Sequence, residues 1–133
     1  MRAVVLCALL AGCGNAPDVA SAEMALSPSS GISPSDIGAV EILVFDGANA
    51  GCARVLTGGS PLDDPELVVV AHALFTIDGT PKHLAIPAGK PLDFYAEAFR
   101  TATPPRTRIG RGCVTATLHG STPVSITLSA TDP

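Results

Sequence analysis

The chain predicts an antiparallel β-sandwich of about seven strands, and three observations carry that prediction. Apolar residues recur at every second position from Ile37 onward, rather than at the helical period of about 3.6. The 13 glycines and 12 prolines are scattered through the 133 residues, which breaks the chain into short elements separated by turns. Hydrophobic residues make up 47% against 15% charged, with no Trp, one Tyr and four Phe. Such a chain buries a core, and that core is built mainly from Val, Ile, Leu and Ala.

The elements follow in order. Ile37 to Phe45 reads as a strand closed by the turn pair Asp46-Gly47. Leu67 to Ile77 sets Leu67, Val69, Ala71, Ala73, Phe75 and Ile77 on one face and closes in Asp78-Gly79. Leu92 to Phe99 and Val114 to Leu118 alternate in the same way. Val124-Ser125-Ile126-Thr127-Leu128 is the clearest, with three apolar residues inward and two small polar ones outward. Asp64-Pro65-Glu66 competes as a helix start, with an N-cap, a first-position Pro and an early acid. The β-branched run Val68-Val69-Val70 resists a helix and suits a strand. The expectation is a helical turn around 60–66 followed by a strand, with a short helix reaching about residue 72 as the alternative. Strands at this spacing, split by Gly and Pro, give a sandwich. The turn Ile86-Pro87-Ala88-Gly89-Lys90-Pro91-Leu92, running into a strand, resembles the pattern of immunoglobulin-like and prealbumin-like bacterial surface modules. That resemblance implies a fold and no activity.

The N-terminus is of a different kind. Met1-Arg2 supplies a positive charge, and Ala3 to Leu10 is apolar, as in a secretory signal. Eight apolar residues fall far short of the roughly 20 that span a bilayer. Leu10-Ala11-Gly12-Cys13 follows, and it resembles the lipobox of bacterial lipoproteins, although the leader is short for that family. The resemblance implies that Cys13 is diacylated on sulfur, that residues 1–12 are removed, and that the mature chain has 121 residues. It also implies a membrane held through the lipid on Cys13. Gly14, in place of the Asp that marks inner-membrane retention in the family, points to the outer membrane. Acyl chains contribute about 0.8 kcal/mol per buried methylene, so two or three anchor a protein firmly. Residues 13–35, rich in Ala, Ser and Pro, read as a flexible tether, and residues 36–133 as the sandwich domain.

Export bears on the remaining cysteines. Cys52 and Cys113 would meet an oxidising compartment, so a disulfide between them is expected. The loop closed is about 62 residues, for which chain entropy gives roughly 4 kcal/mol as an upper figure.

The chain carries few signs of catalytic chemistry. His72, His83 and His119 sit singly, with no HExxH or HxH arrangement, and no GxSxG elbow occurs. Gly58-Gly59 lacks the Lys-Ser/Thr ending of a phosphate loop. Asp46-Gly47 and Asp78-Gly79 lack the closely spaced oxygens of a calcium loop. Asp63, Asp64 and Glu66 form the densest acid group and the better candidate, but read as a solvated loop, so neither a metal nor a cofactor is expected. The net charge of −4 argues against nucleic acid as a partner. The charge is uneven, with eight acids and one base from Cys13 to Glu66, and Arg100, Arg106, Arg108 and Arg111 within twelve residues. Those arginines suit a loop that binds anionic groups, or a solvated hairpin loop paired with the acidic first half. The function expected is a non-enzymatic, lipid-anchored structural or binding module of a bacterial envelope. The alternative is a surface lipoprotein that binds carbohydrate or an anionic envelope polymer through residues 100–111, with a protein partner also open.

Overall fold

A computed structural model of the chain describes residues 18–46, 51–57, 60–77 and 80–131. The elements are β1 (Val19–Pro28), β2 (Ala39–Asp46), α1 (Cys52–Thr57), β3 (Val69–Thr76), β4 (Lys82–Pro87), β5 (Pro91–Phe99), β6 (Arg108–Thr117) and β7 (Ser121–Ala130). Single 3-10 turns lie at Pro34–Asp36 and Pro61–Asp63. The strand order is β3-β2-β5-β6-β7-β1-β4. β6 and β7 pair through Gly110 with Ala130 and Arg111 with Ser129, and then part. The strands therefore form two layers, β3-β2-β5-β6 and β7-β1-β4, joined at one corner. Gly112 lets the layers meet there, because a Cβ at that position would collide with the Thr127 carbonyl.

The core fills the space between the layers. Val40, Ile42 and Val44 of β2 point inward, with Leu92, Phe94 and Ala96 of β5. Facing them are Val124, Ile126 and Leu128 of β7, Ile86 of β4, and Ala20, Ala22 and Met24 of β1. Each large side chain buried here contributes roughly 1.5–3 kcal/mol. The all-β sandwich predicted from period-two patterning is the observed fold. The turn at Ala88–Lys90 links β4 to β5 through Gly89, whose φ of 81° suits the one residue without a Cβ.

Several expectations need correction. The tether assigned to residues 13–35 contains a core strand, so the domain begins at β1 and not at residue 36. Its buried positions are Ala20, Ala22 and Met24, and the two small alanines give a weak apolar signal amid Ser and Pro. The sheet is also not wholly antiparallel. β1 runs parallel to β7, from Ser21 opposite Ser121 to Pro28 opposite Leu128. The penultimate strand begins at Arg108, not Val114, so the hairpin loop after β5 ends at Thr107. Residues 60–66 hold a 3-10 turn followed by a strand, as expected, and the helix to residue 72 does not form. Asp64 instead accepts the Glu66 amide at 3.0 Å, using cap chemistry to shape a turn. A register shift between Val44 and Phe45 disturbs the alternation of β3, and Val69 lies exposed.

Candidate functional site

β2 and β5 are buried on both faces, which a two-layer sandwich does not require. On the outer face, Leu43, Phe45 and Tyr95 form a second cluster with Val55 of α1 and Leu67. The Cys52–Cys113 disulfide ties α1 to β6 with the Cα atoms 5.4 Å apart, as the sequence led one to expect. Beside it lies Asp93, 1% exposed, which accepts a hydrogen bond from the Thr115 hydroxyl at 2.5 Å. Its second oxygen has no partner among the described residues.

Beyond this cluster the outer face becomes charged. Asp93, Tyr95 and Glu97 occupy alternate positions of β5 and so share one side of the sheet. The Tyr95 hydroxyl donates to Glu97, and Arg108 donates to the same oxygen at 3.0 Å. Burial first, then the hydrogen bond to Glu97, pushes the Tyr95 phenol far above the ordinary tyrosine range. Glu41 on β2 takes His72 at 2.7 Å and Arg106 at 3.9 Å. Arg106 also lies over the Phe99 ring, 4.9 Å from its centroid.

The four arginines singled out by the sequence therefore divide. Arg100 and Arg106 belong to the β5–β6 loop and pair with Asp36 and Glu41, both from the acidic first half. Arg108 and Arg111 stand on β6 and line a groove of ≈ 610 Å³ with Leu56, Gly112, Thr127, Ser129 and Thr131. Arg111 donates one nitrogen to the Leu56 carbonyl at the end of α1, while its Nη1 is buried without a partner. Asp63, Asp64 and Glu66 do not gather into a metal site: Arg54 bridges Asp64 and Glu66 at 2.8 Å each. Those contacts, the hydrogen bond to Glu66 foremost, hold the Arg54 pKa above its usual value. Among the described residues no cluster of three or more His, Cys, Asp or Glu is arranged to hold a metal. No helix among them is long and apolar enough to cross a membrane. Cys13 and the Leu10–Cys13 motif lie outside the described residues.

The sequence reading missed Glu41, Asp93, Tyr95 and Glu97 as a set. The alternation Asp93-x-Tyr95-x-Glu97 was the available signal, but it reads as the solvent face of a strand until α1 and the arginines cover it.

No protein-family model matches the chain, and no curated protein matches it. Among solved structures, it is similar to an alternative pilotin from the type II secretion system of Vibrio cholerae. The TM-score is 0.52 at 14% identity, covering 87% of this chain and 100% of the pilotin. At that identity the likeness concerns the fold alone. A looser likeness, with a TM-score of 0.37 at 11% identity, is to the shaft pilin SpaA of Lactobacillus rhamnosus GG. It covers 88% of this chain and 52% of the pilin.

Proposed function

We propose that the chain is a lipoprotein of a bacterial envelope, held at the membrane by acyl chains on Cys13, whose β-sandwich serves as a non-enzymatic binding or structural module. The observation that carries this reading is the Leu10-Ala11-Gly12-Cys13 motif behind an apolar run. Five residues separate Cys13 from the first strand at Val19. Two further observations agree with it. A disulfide such as Cys52–Cys113 persists in oxidising compartments. The fold is shared along the full length of a pilotin from a type II secretion system. Outer-membrane placement rests on Gly14 after the acylated cysteine.

The test is metabolic labelling with a radioactive fatty acid, followed by membrane fractionation. The intact chain is expected to carry label and sediment with membranes, and Cys13→Ala to lose both. Label retained on Cys13→Ala would refute the anchor.

A further inference from the structure

The groove along the β6–β7 corner has the chemistry of a binding site. Two cations line it, Arg108 and Arg111, and no carboxylate does among the described residues. Arg108 shares its charge with Glu97, but the Arg111 Nη1 has no acceptor. A guanidinium with one nitrogen unpaired keeps hydrogen-bonding capacity that a carboxylate can take up once the side chain turns toward the groove. Thr127, Ser129 and Thr131 line it from the end of β7, and Leu56 and Ala130 add apolar surface. At ≈ 610 Å³ the groove is far larger than a single phosphate needs and falls in the size range of organic ligand sites.

Its position in the fold narrows the ligand further. β1 and β7 are parallel and start together, with Ser21 opposite Ser121. The groove flanks the other end of β7, at Ser129 and beyond. Eight residues of strand put it roughly 25–30 Å from the end that follows Cys13. On the lipoprotein reading, from which this step follows, the groove lies at the end of β7 remote from the strand end that Cys13 precedes.

We propose that this groove docks an acidic peptide segment of a partner protein, with Arg108 and Arg111 receiving its carboxylates. The stretch of β6 and β7 gives the peptide an extended path, and the apolar wall takes its intervening side chains.

The test uses the full-length chain in detergent and fluorescence anisotropy of a tagged hexapeptide that alternates aspartate with leucine. An asparagine–leucine hexapeptide is the control. The aspartate peptide is expected to bind about ten-fold tighter than the control or better, the value of one charge-assisted pair. Arg108→Gln should weaken it by a similar factor. Because Arg111 also holds α1, Arg111→Gln risks disturbing the fold. Ser129→Glu, which places a carboxylate in the groove from an exposed position, is the second variant and should abolish binding with an unchanged circular dichroism spectrum. Equal affinity for the two peptides, or binding indifferent to both variants, would overturn the proposal. So would displacement of the peptide by equimolar inorganic phosphate, or capture of phosphatidylglycerol vesicles through the same arginines. Binding that appears only after deletion of Asp132 and Pro133 would assign the groove to the chain's own tail and overturn it as well. None of these readouts depends on acylation, so failure here is separable from failure of the labelling test.

Discussion

Phe94 and Phe45 are both fully buried and stand on paired strands, yet they serve two different cores. Phe94 faces inward, among aliphatic side chains delivered by both layers of the sandwich. Phe45 faces outward, under a roof made by the six-residue α1 and Leu67, with Tyr95 beside it. The inner core is held by many strands whose register leaves little room to settle. The outer one depends on a helix far too short to be stable alone, stapled to β6 by one covalent bond. The contrast shows why a small sandwich poor in aromatics gains a disulfide: the bond makes a second buried surface possible where the strands alone would face water.

The largest expected effect comes from emptying each core in turn. Phe94→Ala should cost about 5 kcal/mol and Phe45→Ala nearer 3 kcal/mol, because the helical roof collapses onto its cavity more readily than two paired layers do. Denaturant unfolding measures both, and equal losses would erase the distinction. Next is the staple. Replacing Cys52 and Cys113 together with Ala should cost about 2–4 kcal/mol. Amide exchange in Cys52–Thr57 should accelerate while β5 and β7 keep their protection. An α1 as protected as before would mean that packing, not the bond, holds the roof.

The smallest effect sharpens the comparison at its edge. Tyr95 is the chain's one tyrosine, so its ionisation can be followed by phenolate absorbance without interference. Its folded-state pKa lies above the unfolded value of about 10. Stability on this account is complete below about pH 10 and is lost as pH rises through the folded pKa. The native phenol should stay un-ionised well beyond pH 10, and Tyr95→Phe should cost about 1 kcal/mol through the lost bond to Glu97. Ordinary titration in the native state would mean that the outer core is open to water.

The sequence displayed the inner core better than the outer. Val124-Ser125-Ile126-Thr127-Leu128 announces its buried face because large apolar residues alternate with small polar ones. Val19 to Pro28 hides the same pattern behind alanines, so a core strand looked like a spacer. Arg108 and Arg111 looked like loop charges, since strand residues facing a groove and loop residues facing water have the same composition. Asp93 and Glu97 looked solvated for the same reason.

The sequence by itself determined the β class, the Cys52–Cys113 pairing and the motif at Cys13. Each of these follows from neighbours along the chain or from counting residues of one type. The turn pair Asp46-Gly47, in part, and the pair Asp78-Gly79 lie outside the described residues. Tertiary structure alone decided that β1 lies parallel to β7, that a second core sits outside the sheet, and that Arg108 and Arg111 share a groove while Arg100 and Arg106 pair elsewhere. Those facts concern residues far apart in sequence. What an outward-facing side chain meets depends on which segment folds over it, and local pattern carries no record of that.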